Sequence, residues 1–166
     1  AMGAVYEVQH IKTGGSAAAK ILHAHWGSDE DVYERFRIEA QIGARLKHPH
    51  IAAVTDFDQT PDGSPFLVME MLQGETLAAR LARHGRLPFE AVIAIAHEVG
   101  DALQAAHDHR IVHRDLKPEN IFLTQQQHEG RVVQVTKVLD FGVSKLIQSF
   151  RQRTRENQLF GTPYYI

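Results

Sequence analysis

The chain has no cysteine among its 166 residues. That excludes a disulfide framework, a thiolate nucleophile and a Cys-based zinc site. It has no apolar run near the roughly 20 residues that span a bilayer. Its start lacks the basic and apolar stretches of a signal peptide. Charge of one sign is also scarce. Lys and Arg total 18 against 20 Asp and Glu, for a net charge of −2, so neither nucleic acid nor a membrane surface is an expected partner of this segment. Apolar content of 43% and charged content of 23% are those of an ordinary globular domain able to bury a core. A Cys-free chain of this kind suits the cytoplasm.

Local patterns suggest strands first and helices later. Residues 4–10 alternate like a strand, Thr13-Gly14-Gly15-Ser16 reads as a hairpin turn, and Ala17 to Leu22 as the returning strand. Ser28 to Lys47 reads as a helix, with Ser28 and Asp31 forming a capping box and Val32, Phe36, Gly43 and Leu46 on one face. Ile51 to Asp58 and Pro65 to Met71 are expected strands joined at Pro61-Asp62-Gly63. Gly74 is expected to start a short helix through Arg83, and Pro88 to open a long one reaching about His109. The apolar stripe of the long helix is Val92, Ile95, Val99, Leu103 and Ala106. Ile121 to Thr124 and Val132 to Leu139 read as short strands, with residues 125–130 as an exposed polar loop between them. Residues 148–158 read as a polar, Arg-rich stretch that is expected to be mobile. The order implies an α+β chain with a β-rich part followed by a helical part.

The run His113-Arg114-Asp115-Leu116-Lys117-Pro118-Glu119-Asn120 brings a carboxylate, an ammonium and a carboxamide into one short turn. Transfer of a phosphoryl group to an alcohol needs a carboxylate to orient the hydroxyl and take its proton, and Asp115 suits that role. Lys117 suits stabilisation of charge on the moving group. Asn120 and, further on, Asp140 of Asp140-Phe141-Gly142 offer oxygen ligands of the kind Mg²⁺ prefers. Asp-Leu-Lys-Pro alone would also fit a solvated turn, and Asp-Phe-Gly alone is only a tripeptide. Together and in this order they are specific. Lys20, after three alanines in a strand, would by itself pass for a surface lysine. Glu39 changes that, because it lies on the apolar face of its helix, where a carboxylate needs a partner. The histidine pairs His23/His25, His48/His50 and His107/His109 lack carboxylate or cysteine company at zinc-site spacing, and His113 reads as a core histidine holding the loop around Asp115.

These motifs resemble the catalytic domain of eukaryotic-like Ser/Thr protein kinases, of the sort found in bacteria, over essentially the whole chain. The resemblance implies a two-lobe fold, with a β-rich N-lobe over 1–72 and an incomplete helical C-lobe over 73–166. It implies ATP and Mg²⁺ as cofactors, with Mn²⁺ as a substitute, and a protein Ser/Thr hydroxyl as acceptor. By resemblance, Lys20 pairs with Glu39 and clamps the α- and β-phosphates. Gly3 is the last glycine of the phosphate-covering hairpin, of which the first half is absent here. Met69 is the gatekeeper, and the backbone of Glu70 and Leu72 bonds adenine. Val5, Ala18 and Phe122 sandwich the ring, and Asn120 and Asp140 hold the metal. As sequence alone, the linker around Met69 to Leu72 and Val5, Ala18 and Phe122 would serve equally well as core. Arg114 is placed to receive a phosphate on Thr154 or Ser149, and Thr162 lies in a segment similar to the substrate-facing loop.

The pattern departs from the family in several places. The Ala-Pro-Glu motif is expected just after Ile166, and the later helices have no counterpart. Apolar surface is therefore expected to be exposed, with a homodimer through the C-lobe as one way of covering it. The interval from Asn120 to Asp140 is long, and Gly43 replaces a bulky apolar residue, which predicts a looser, more mobile helix around Glu39. Two functions follow. One is a Ser/Thr kinase, as the cytoplasmic part of a larger, membrane-linked protein. The other is a catalytically impaired kinase-like module that binds a nucleotide or a partner.

Overall fold

The computed structural model describes residues 3–23, 30–128 and 130–141. The chain divides at Met71/Leu72 into two compact units, and His48–Ala52 belongs with the second.

Among the described residues, the first unit is a four-stranded antiparallel sheet with one helix on it. Its strands are β1 (Gly3–Gln9), β2 (Ser16–Leu22), β3 (Val54–Gln59) and β4 (Pro65–Glu70), in the order β1-β2-β4-β3. Gly14, at φ 71, closes the first hairpin, where its N–H donates to His10 O. The Asp62-Gly63 turn closes the β3–β4 hairpin. The Asp62 carboxylate accepts from Thr60 Oγ1 and Ser64 Oγ, and these bonds hold its pKa below the usual carboxylate range. Helix α1 (Glu30–Arg45) turns Val32, Phe36 and Ala40 inward at one-turn spacing. They bury against Leu22 and Leu67, and Phe57 packs on Phe36 with ring centroids 5.8 Å apart. Each large side chain buried here contributes about 2–3 kcal/mol.

Gly43 has a different explanation from the one its sequence suggests. A Cβ at that position would run into the Cγ2 of Val54. The bulk missing from the helix is supplied by β3, and glycine is what lets the two approach. Asp31 of the expected capping box is described only as helical backbone, and Ser28 lies outside the described residues.

The second unit contains β5 (Gly74–Thr76), α2 (Leu77–His84), α3 (Phe89–Asp108), a 3₁₀ turn (Pro118–Asn120), β6 (Ile121–His128) and β7 (Arg131–Val138). Its sheet runs β5-β6-β7, all antiparallel, and α3 packs on β7. Ile51 forms a parallel bridge to Val138, which is why 48–52 joins this unit and why β3 begins at Val54, not at Ile51.

Three expectations are corrected here. Gly74 starts a strand and not a helix. Its φ of 151 is extended backbone of a kind side chains disfavour, and a Cβ there would meet Leu123 O. The helix waits for Thr76, whose Oγ1 accepts from Ala79 N–H as its N-cap. In α3 the buried stripe is Ile95, Val99, Ala102 and Ala106, while Val92 is exposed. The small alanines allow close approach to the sheet. Finally, residues 125–128 are not a loop, because β6 runs on to His128 and pairs with β7 down to Arg131. That hairpin accounts for the long interval before Asp140.

Candidate active site

Each unit carries its own set of candidate groups. In the first, the antiparallel register puts Val5 opposite Lys20 and Ala18 opposite Met69. With Ala18 and Lys20 two residues apart, all four side chains fall on one face of the sheet. Val5 is the most exposed of them. Lys20 Nζ lies 2.7 Å from Glu39 Oε1 and 5.9 Å from the centre of the Phe36 ring. The pair is mostly buried, at 20% and 16% side-chain exposure, so the carboxylate on the apolar face of α1 has the partner its burial requires. Gly3 is pinned by the backbone of β2, since a Cβ would strike Ile21 O. Glu70 N–H donates to Ala53 O at 2.9 Å, and its carboxylate accepts from Ala53 N–H at 2.7 Å. The donor half of Glu70's backbone is thus committed within the protein.

In the second unit, Pro118 starts the 3₁₀ turn that follows Lys117. The turn folds Asn120 back onto Asp115. Asn120 Nδ2 donates to Asp115 O at 2.8 Å and reaches Asp115 Oδ2 at 3.4 Å, and Lys117 Nζ sits 3.0 Å from the same Oδ2. Both contacts restrain the orientation of the carboxylate, which is what general-base work would require of it. With its nitrogen turned to Asp115, Asn120 has its amide oxygen left to offer a cation. Leu139 N–H donates to Asn120 O at 2.9 Å, which brings Asp140, the next residue, to the same end of the β6–β7 hairpin. An amide oxygen and a carboxylate are hard donors and fit Mg²⁺. Phe122 pairs with Thr76 on one side and Lys137 on the other.

His113 ties these segments together. It is 2% exposed, its Nδ1 accepts from Asp115 N–H at 3.3 Å, and its Nε2 lies 2.9 Å from Leu139 O. An accepting Nδ1 leaves the proton on Nε2, which donates to the carbonyl. Burial pushes its pKa below the ordinary histidine value, against the opposing pull of the Leu139 bond, so the ring is neutral. Phe141 packs on it with ring centroids 4.8 Å apart.

Backbone strain marks the same places. Among the described residues, the non-glycine positions with positive φ are Arg110, Arg114 (61°) and Asp140 (43°). Arg114 precedes Asp115, and Asp140 is itself one of the groups just described. Such conformations cost about 1–3 kcal/mol each and persist where the surroundings enforce them. No sequence signal pointed to this strain or to the clamp on His113 from Leu139 O. Gly142, Ser149, Thr154 and Thr162 lie outside the described residues.

The whole chain, residues 1–166, matches the family model described as the protein kinase domain. It is 41% identical over 165 residues to the serine/threonine-protein kinase Pkn1 of Myxococcus xanthus, covering 99% of this chain and 23% of that protein. It is 38% identical over 169 residues to PknA of Mycobacterium tuberculosis, covering 99% of this chain and 37% of the relative. The chain thus spans well under half the length of these relatives. Among solved structures it is similar to the kinase domain of Mycobacterium tuberculosis PknI, with a TM-score of 0.71 and 35% identity over 86% of this chain and 56% of that one.

Proposed function

Because this chain belongs to the protein kinase domain family, we propose that it serves to transfer the γ-phosphoryl group of ATP to a protein Ser or Thr hydroxyl. The observation that carries this reading is the Asp115 carboxylate, braced 3.0 Å from Lys117 Nζ and by the Asn120 amide. In the reaction, the substrate oxygen forms a bond to the γ-phosphorus as the bond to the β–γ bridging oxygen breaks. Asp115 orients the hydroxyl and receives its proton, and ADP leaves with the bridging oxygen. Lys117 stabilises negative charge on the phosphoryl oxygens. Lys20, oriented by Glu39, holds the α- and β-phosphates. Val5, Ala18, Met69, Leu72 and Phe122 contact adenine, and the Glu70 carbonyl accepts from it. Asn120 and Asp140 would hold Mg²⁺ or Mn²⁺, which would neutralise phosphate charge. Arg114 donates charge-assisted hydrogen bonds to a phosphate carried on Thr154. ATP as co-substrate suits a cytoplasmic site of action, and no helix among the described residues is long and apolar enough to cross a membrane.

Calorimetric titration with Mg-ATP tests this reading. Metal-dependent binding that Asp140→Asn loses is the expected result. A folded chain that binds no nucleotide would overturn it.

One observation favours the second reading, a partner-binding module. Phe89, Val92 and Ile93 expose most or about half of their surface on α3, beside a hollow of about 330 Å³ lined by Leu77, Leu81, Leu87, Ile95 and Val99.

A further inference from the structure

The β6–β7 hairpin leaves part of its backbone without a strand partner among the described residues. Its register, from Ile121↔Val138 to His128↔Arg131, pairs odd residues of β7 with even residues of β6. In an antiparallel ladder, alternate residues turn both N–H and C=O to the same side. Which set faces outward follows from other bonds. Thr136 N–H donates to Glu98 Oε2 at 2.8 Å, Val138 N–H donates to His50 O at 2.9 Å, and Val138 O accepts from Ala52 N–H at 3.0 Å. The even residues of β7 therefore face away from β6. Thr136 O is also engaged, 3.0 Å from His50 Nδ1. Val132 and Gln134 point their backbone groups the same way, but β7 is the last strand of its sheet and none of the described strands lies beside them. The usual guards of an edge are missing there. Between 131 and 135 there is no proline and a single charge, Arg131, while Val132 and Val133 are 59% and 37% exposed.

We propose that two copies of this chain pair antiparallel along this edge, with Val133 facing Val133 across a two-fold axis. In that register Val132 of each copy lies opposite Gln134 of the other. These are the two residues with outward groups to satisfy, and both pairs exchange N–H and C=O in both directions. Other registers do worse. A one-residue slip sets outward groups against residues that face β6. A two-residue slip sets either Val132 against Val132, with Gln134 at the Gly130 turn, or Gln134 against Gln134, with Val132 at Thr136, whose N–H Glu98 already holds. The edge is complementary to itself in one register only, and this selects a second copy as its occupant. Val133 meets its counterpart at a non-hydrogen-bonded position, where Cβ atoms come within about 4.5–5.5 Å. So short a contact buries far less than the roughly 1,200 Å² of a stable interface, and the dimer is weak and concentration-dependent. The pairing uses none of the candidate active-site residues and stands apart from the phosphotransfer reading.

The absence of cysteine makes the test direct, because a single introduced thiol reports one register. Under mild oxidation, Val133→Cys should form a disulfide-linked dimer at least about ten-fold faster than Val132→Cys, whose thiols the register keeps apart. Adding Val132→Pro to Val133→Cys should abolish that advantage. Proline there removes an outward N–H and leaves the bonds to β6 intact. If circular dichroism shows that proline unfolds the chain, Val132→Lys, which charges the edge, replaces it. Sedimentation velocity on the unmodified chain should show dimer growing with concentration and lost in the same variant. A chain that stays monomeric at millimolar concentration would overturn the proposal. So would equal crosslinking at 132 and 133, or a dimer indifferent to both Val132 variants.

Discussion

Val54 fills the space that a side chain at position 43 would need. A glycine inside a helix costs about 1 kcal/mol relative to alanine, so the contact with β3 outweighs that local preference. Gly43→Ala should therefore destabilise the chain, by about 1–3 kcal/mol, because the branched Val54 cannot move aside. In a Val54→Ala background the sign should reverse, with alanine at 43 now stabilising through helix propensity. Urea unfolding of the four proteins measures both. Gly43→Ala tolerated without loss would show that α1 and β3 do not meet here.

Lys20 and Glu39 form a pair that is neither fully buried nor free in water. Removing one partner should cost more than an exposed ion pair and less than a fully buried one, about 1–2 kcal/mol. Lys20→Met and Glu39→Gln should each show this, and the double variant should show a coupling of about 1 kcal/mol. Additive effects would mean that the two side chains do not act on each other in solution. In ATP titrations the Glu39 variant should weaken binding less than the Lys20 variant, since it acts through the lysine.

Asp140 adopts a left-handed conformation that asparagine tolerates and alanine does not. Asp140→Asn should leave thermal stability nearly unchanged while lowering metal-dependent ATP affinity at least ten-fold. Asp140→Ala should lose the same affinity and about 1 kcal/mol of stability as well. At Arg114, also left-handed, glycine should stabilise the chain by about 1 kcal/mol. A destabilising Arg114→Gly would point to contacts of the side chain that outweigh the strain.

His113 makes stability depend on pH in a defined direction. Burial lowers its pKa in the folded chain, and His48 is lowered in the same way, by burial first and then by His50. The unfolded chain thus takes up these protons first. The stabilisation is complete above about pH 6.5 and is lost as pH falls from there through the lower folded values. Thermal melts should shift down below pH 6.5 and stay level above it. Nitrogen-resolved NMR of the ring should show His113 protonated on Nε2 alone at pH 6.5, and a doubly protonated ring at that pH would contradict the assignment.

Much of the candidate site was legible in the chain. Asp115, Lys117 and Asn120 lie so close in sequence that a single proline-initiated turn brings them together, and Glu39 announced its need for a cation by sitting on an apolar face. The Asp62-Gly63 turn and α3 were readable for the same reason, because their determinants lie within a few residues of each other. The hairpin arm beyond Thr124 was not, because neither of its faces is buried and no alternation of apolar and polar residues marks it.

Other features depend on residues far apart in sequence. Gly43 looked like a gap until β3 placed Val54 in it. Gly74 joined a strand because Leu123 O leaves no room for a Cβ. The outward groups of β7 are closed at Thr136 by Glu98 and at Val138 by His50 and Ala52, and among the described residues they stay open at Val132 and Gln134. Local chemistry, the reach of one turn, was determined by the sequence alone. Which backbone groups find partners and which positions have space was decided by tertiary structure, because hydrogen-bond partners and packing neighbours are set by distance in space.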